Sequence, residues 1–544
     1  MDDPDAEELP FMVWNDNFAR GEYTTAVIID LGEGREALGS GLGPELFTVS
    51  ARNTTLTGDT VVFEGTRNIA RVYANDEPKV RGYLGKVSNS PDYREGLDSG
   101  RYIVVELEFY TEAGGSTTLD GSSNSTLQNY NIILNGEIRL ANGDSIHNAV
   151  FRQTDVVNPI LDKFTTHTYE TLNYALYIHR DENGDEARGL PLFIYAHGMS
   201  RGGTQAQIDQ KASMRSANGS VALMKKIEEN PGKYASHILN ISYNDISTPE
   251  TEHVKTVIDG LVEDGLVDPD RIYVAGFSWG GAYTNTLIND YPGFFAAAAT
   301  LSPVFGSPGA SADERHKDLA YWMFINQHNQ GIYQTTLENF ITIDLPAMTR
   351  ARASHFESNE ALTWPYNQYD QPSQRPDPKS SPPMQDYIAH EVEAAVLYNP
   401  ITMDNPFTGK PWSIAPVAQS PGLPEWNDDY TDLFDWMFSQ SRKGEIYYGP
   451  TAMYGTPELG ADDPLWSKTE AYPINRSTVP DDPRPHATGT VRILWDENFI
   501  YARVEVQDSN LYRGAGGDHT YDSVEFFVGP GSSGSNQWRV SATG

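Results

Sequence analysis

The chain contains no cysteine, which removes disulfides, thiolate metal sites and thiol nucleophiles from consideration. Basic residues are scarce: 39 Lys and Arg stand against 75 Asp and Glu, a formal net charge of −36. So acidic a chain repels nucleic acid and anionic membrane surfaces. Neither is expected as a partner, and the acidity fits a salty or extracellular setting. No apolar run is long enough to span a bilayer. The opening stretch MDDPDAEELP is acidic and polar. It is unlike a signal peptide and reads equally as a mature N-terminus behind an added Met. At 544 residues the chain exceeds what one core usually serves, and two to four domains are expected.

Residues 10–155 read as a β-sandwich. TTAVIIDLG from Thr24, TVVFEG from Thr60, IARVYAND from Ile69 and RYIVVELEFY from Arg101 are rich in β-branched and aromatic residues. Turn signals separate them, with no helical period between. From Tyr169 the pattern changes. YALYIHRD, LPLFIYAHG, HILNISYND, RIYVAG, FFAAAATLSP and LAYWMFINQ read as strands. Helical stretches alternate with them, Val254, Val257, Ile258, Leu261 and Val262 forming one apolar face. Such alternation predicts a parallel sheet with helical crossovers over residues 165–445. A last helix, YTDLFDWMFSQ, puts Tyr430, Leu433, Phe434, Met437 and Phe438 on one side. A long insertion, 365–428, is rich in Pro, Asn and aromatic residues. Loops of that length are usually functional or disordered, and Trp364, Trp412 and Trp426 suggest a wall or lid over a site. Residues 454–544 turn β-rich again.

The chemistry centres on GFSWG, Gly276 to Gly280. A serine between glycines, directly after a strand and before a helix, is lifted out over the sheet edge by a sharp turn. The plain alternative is a glycine-rich turn with a capping serine. Ser278 needs a base and an oxyanion hole if it is to act as a nucleophile. The segment FIYAHGMSRGG ends an earlier strand at His197-Gly198. The amides of Met199 and Trp279 are the expected oxyanion donors. The base is expected late in the domain, where His316, His328, His355 and His390 follow the serine. His390, just before the final helical region, is favoured, with His328 as runner-up. Metal readings fail: HEVEA lacks the second His of H-E-x-x-H, and DENGDEARG has Glu186 and Leu192 where a calcium loop needs Gly and Glu.

VDPDRIYVAGFSWGGAYT, PLFIYAHGMSRGG and LFDWMFSQSR resemble α/β-hydrolase esterases related to feruloyl and acetyl esterases and polyhydroxybutyrate-depolymerase-like proteins. YTTAVIIDLG and GRYIVVELEF are similar to the immunoglobulin-like domain that precedes some of them. This resemblance implies Ser278 as nucleophile, His390 as base and the Met199 and Trp279 amides as oxyanion hole, with no cofactor. YGTPELGADDPLWSK, HATGTVRILWDENFIYARVEVQDSNLY and YDSVEFFV resemble the opening half of carbohydrate-binding module family 9, which implies sugar binding and a structural calcium. The chain stops partway through that module.

The triad acid is missing from its usual turn, where Asn326, Gln327, His328, Asn329 and Gln330 stand. An amide, Asn329 or Gln330, or a displaced carboxylate, Asp313 or Asp344, is expected instead. Two functions follow: a secreted serine esterase acting on polysaccharide-linked or related small esters, or a non-catalytic carbohydrate-binding scaffold with a degenerate hydrolase domain. A peptidase is a third, less favoured because no pocket for a defined side chain is legible. The acyl group, the alcohol and the oligomeric state are not written in the sequence.

Overall fold

The structure is a computed structural model. It describes residues 6–18, 21–81, 95–109, 118–120, 124–199, 211–216, 218–243, 250–309, 314–326, 332–356, 392–398, 401–404, 411–426, 430–445, 453–454, 456–457, 463–469, 471–474, 488–496, 499–507, 523–528 and 536–541. The chain divides into two compact units, 1–446 and 447–544.

The first unit opens with a sandwich. β1 (Glu7–Phe18), β2 (Gly21–Asp30), β3 (Phe47–Thr55), β4 (Val61–Arg67), β5 (Ile69–Asn75), β6 (Tyr102–Leu107), β7 (Thr126–Leu134) and β8 (Ala149–Val157) form two sheets. Their orders are β8-β1-β2-β6-β5 and β4-β3-β7. Alternation decides the faces. Along β7, Gln128, Tyr130 and Ile132 point inward while Leu127, Asn129 and Ile133 face solvent. Phe11, Val27 and Val105 of one sheet meet Val49, Ala51 and Ile132 of the other in one core.

A nine-stranded sheet follows, in order β9 (Thr165–Tyr169), β10 (Leu172–Tyr177), β12 (His237–Ser242), β11 (Leu190–Ala196), β13 (Val267–Phe277), β14 (Ala297–Leu301), β15 (Ala320–Asn326), β16 (Ala351–Phe356) and β17 (Ala418–Gln419). Pairing is parallel from β12 through β16 and antiparallel at both ends. The central strands are apolar throughout because helices cover both faces. α1 (Gly219–Glu229), α4 (Val392–Tyr398) and α5 (Leu433–Phe438) pack on one side. α2 (Thr251–Glu263) and α3 (Trp279–Asp290) pack on the other. This is the α/β-hydrolase fold.

The reading of 365–428 as a substrate wall needs correction where the structure describes it. Residues 365–391, 399–400, 405–410 and 427–428 lie outside the described residues. Much of the described remainder packs into the core: α4 buries Val392, Ala395 and Val396, Ile414 is buried, and β17 extends the sheet. Trp426 stands edge-on to buried Trp322 at 5.4 Å, with the Arg352 guanidinium 5.6 Å from its ring. These groups cover the sheet's apolar face, so removing them would expose it to water.

Sandwich and hydrolase sheet meet through a buried charge. Glu22, its side chain wholly buried, pairs with Arg215 and accepts the Asn158 side-chain amide at 2.6 Å. Its backbone amide donates to Arg215 O at 2.8 Å. Gly21 has φ +131°, and a Cβ there would lie 2.5 Å from Arg215 O, so only glycine fits this approach. Arg215→Met leaves the Glu22 carboxylate buried with amide donors alone. The expected loss is about 2 kcal/mol, read as a lower urea midpoint at unchanged slope. An unchanged midpoint would mean that the pair contributes nothing.

In the second unit, β18 (Met453–Tyr454), β19 (Tyr472–Ile474), β20 (Thr488–Trp495) and β21 (Ile500–Gln507) share one small sheet, and β22 (Ser523–Val528) pairs with β23 (Asn536–Ser541). The turn between β20 and β21 is pinned by Asp496, which accepts from Phe499 N at 2.8 Å and Tyr501 OH at 2.6 Å.

Candidate active site

β13 runs to Phe277, and α3 begins at Trp279. The single residue between them, Ser278, has φ 56° and ψ −114°. A side chain in that region costs on the order of 1–3 kcal/mol and persists only where its surroundings enforce it. Here they do. Ser278 N donates to Leu301 O on β14 at 2.9 Å, and Ala282 N closes the first helical turn onto Ser278 O at 3.2 Å. The flanking glycines are set by contact. A Cβ on Gly276 would lie 2.2 Å from Gly280 O. One on Gly280 would lie 1.9 Å from Ala196 O, at the end of β11.

That contact brings the two predicted halves of the site together. A Cβ on Gly198 would lie 3.7 Å from the Cβ of Ser278. Met199 follows Gly198 with its side chain exposed. Trp279 opens α3, so its amide is among those a helix leaves without an internal carbonyl.

His197, read from the sequence as the end of a strand in the oxyanion segment, has a more specific place. The Tyr243 amide donates to its Nε2 at 3.3 Å, so the ring proton lies on Nδ1. Nδ1 donates to Gly198 O at 2.5 Å. With both nitrogens bonded to backbone, His197 is poorly suited to act as a base. Its ring stacks on Tyr243 with centroids 4.4 Å apart, and Tyr243 stacks on Tyr283 of α3 at 4.9 Å. Two residues earlier on β11, the Tyr195 hydroxyl donates to Glu393 of α4, both buried. Burial and the Glu393 charge hold the Tyr195 pKa well above the usual range, so its hydroxyl keeps its proton. Neither Tyr243 nor Glu393 is legible as a site residue, because each is defined by a partner on a distant strand.

His390 lies outside the described residues, as do His328, Asn329, Gln330 and Asp313. His316 is buried in a turn just before β15, where Leu319 N bonds to His316 O. In a parallel sheet that is the end opposite Ser278. His355 stands near the C-terminal end of β16, opposite Ile325. Three inter-strand spacings separate it from Ser278, roughly 14 Å at about 4.8 Å each. Asp344 is buried in the turn Phe340–Asp344, where its charge helps raise the pKa of the Tyr321 hydroxyl, after burial. Among the described residues no group of three or more His, Asp or Glu is placed to hold a metal ion. No helix among them is long and apolar enough to cross a membrane.

Comparison with known proteins follows the same division. Residues 15–147 match the esterase Ig-like N-terminal domain, 236–339 the prolyl oligopeptidase family, and 460–543 the carbohydrate family 9 binding domain-like family. Among curated proteins, an exoglucanase, XynX, of Acetivibrio thermocellus is 36% identical over 109 residues, 19% of this chain and 10% of that enzyme. An acylamino-acid-releasing enzyme of Arabidopsis thaliana is 26% identical over 130 residues, 24% of this chain and 17% of the relative. The chain thus spans a tenth of the first relative's length and under a fifth of the second's. A thermostable esterase of known structure superposes with a TM-score of 0.53 at 23% identity, covering 66% of this chain and 96% of that one. That likeness concerns the fold. The chain therefore joins an esterase-type Ig-like domain, an α/β-hydrolase domain matching the prolyl oligopeptidase family, and a region like carbohydrate-binding family 9.

Proposed function

We propose that this protein is a secreted serine esterase that removes acyl or feruloyl-type groups from polysaccharides or related small esters. The observation that carries this reading is the strained turn at Ser278, held against Gly198 by glycines that admit no side chain. Ser278 Oγ attacks the ester carbonyl while His390 takes its proton. The carbonyl oxygen gains the negative charge and is received by the Met199 and Trp279 amides. Collapse expels the alcohol, which regains the proton from His390. Water then repeats the sequence on the acyl-enzyme and releases the acid. A carboxylate displaced from the usual turn supports His390. The family 9-like region and the exoglucanase likeness favour a carbohydrate-linked substrate met outside the cell, and the module is the proposed site of sugar and structural calcium binding.

The competing reading, a carbohydrate-binding scaffold without activity, rests on the amides and His328 that stand where the acid is expected. The test is hydrolysis of short-chain p-nitrophenyl esters, together with labelling by a serine-directed phosphonate. One adduct at Ser278 with ester turnover is expected. Neither turnover nor adduct would leave the scaffold reading. Faster cleavage of a matched p-nitroanilide than of the ester would make the protein a peptidase.

A further inference from the structure

We propose that Tyr243 is a positioning residue of the oxyanion hole. This rests on the reading of Ser278 as nucleophile and of the Met199 amide as oxyanion donor.

Tyr243 lies one residue beyond β12 and holds His197 in three ways. Its amide donates to His197 Nε2, its hydroxyl donates to His197 O, and its ring lies flat against the imidazole, 7° from parallel. The first contact decides the tautomer. With Nε2 accepting, Nδ1 carries the proton and donates to Gly198 O at 2.5 Å. The Gly198 carbonyl and the Met199 amide belong to one planar trans peptide and point in opposite directions. Fixing the carbonyl on the imidazole therefore fixes where the Met199 N–H is aimed.

The second contact fixes the preceding peptide. His197 O receives the Tyr243 hydroxyl and also faces Gly280, where a Cβ would lie 2.7 Å from it. That carbonyl is confined between the phenol and the first turn of α3. The stacking of Tyr243 on Tyr283 then ties β12 to α3. One side chain thus couples the strand that carries an oxyanion donor to the helix that carries the nucleophile. A tyrosine that merely filled core would need the ring contacts but not the hydroxyl on His197 O.

Tyr243→Phe keeps the ring, the stack and the backbone amide, and removes only the hydroxyl. Losing a whole oxyanion donor costs on the order of 10²–10³ in kcat. A donor that is present but less well aimed should cost about tenfold. The experiment measures p-nitrophenyl ester kinetics and phenylboronic acid inhibition, with rates normalised to the sites titrated by a phosphonate. The boronate forms a tetrahedral adduct whose oxygen occupies the oxyanion position. Expected are kcat about tenfold lower, KM within about twofold, and boronate affinity reduced by the same factor as kcat. Tyr398→Phe is the control. It removes a hydroxyl that likewise donates to a backbone carbonyl, Asn218 O at 3.4 Å, away from His197. It should leave kcat and boronate affinity unchanged. Full titration with wild-type kcat and boronate affinity in Tyr243→Phe would overturn the proposal. Wild-type protein that neither titrates nor turns over would overturn the esterase reading beneath it.

Discussion

Ser278→Ala is expected to lower kcat on p-nitrophenyl esters by at least about 10⁴-fold, because members of a nucleophilic triad act as a unit and losing one removes nearly all of its effect. Phosphonate labelling should disappear with it. The same position separates chemistry from stability. At φ 56° a Cβ is strained, whereas glycine enters that region freely. Ser278→Gly should therefore be as inactive as Ser278→Ala yet more stable than wild type. The gain, about 1 kcal/mol, is set by the released strain less the extra chain entropy of glycine. Activity surviving in either variant would remove Ser278 from the mechanism. A glycine variant less stable than the alanine one would show that the turn stores no strain.

Gly280→Ala should damage fold and chemistry together. The added methyl would sit 1.9 Å from Ala196 O, 2.5 Å from Ala196 C and 2.7 Å from His197 O. All three are backbone atoms at or just past the end of β11, so no side chain can swing away. β11 and α3 must separate by about 1 Å to restore ordinary contact. Overpacking of this kind costs roughly 3 kcal/mol. A 1 Å misplacement of reacting groups costs about 10²-fold in rate. The variant should melt earlier, and its surviving folded fraction should turn over at least about a hundredfold more slowly. Normal rates in the folded fraction would mean that the end of β11 need not touch α3.

How far each feature could be read beforehand follows from the range of the contacts that define it. The turn at Ser278 is local: strand, glycine, serine, glycine and helix lie within a few residues, and each type has a steric reason. The apolar runs of β11, β13, β14 and β15 are equally local. β1 is harder, because Asn15 and Asn17 are polar yet fully buried. Both lie at the junction around Glu22, and Asn17 meets Asn158 through its side chain. No short window contains that partner. Trp426 reads from sequence as part of a wall or lid because its neighbour Trp322 lies on a strand far upstream. His197 was visible as strand-end punctuation. Its role as a donor to Gly198 O depends on Tyr243, which only the parallel pairing of β11 with β12 brings near.

The strand order around the site also governs when it comes into being. β11 lies between β12 and β13, both of which follow it in the chain. Ala196 at its end finds its partner Gly276 about eighty residues downstream. Closing a loop of that length costs roughly 4 kcal/mol of chain entropy before any contact offsets it. The pairing that sets Gly198 against Ser278 is thus of high contact order, the kind that forms slowly. Helices such as α2 and α3 can form from local contacts alone, whereas the arrangement that would do chemistry exists only once the middle of the sheet has zipped shut. In refolding, the proposed ester turnover should therefore trail the recovery of helical signal, as a clock for the last long-range closure.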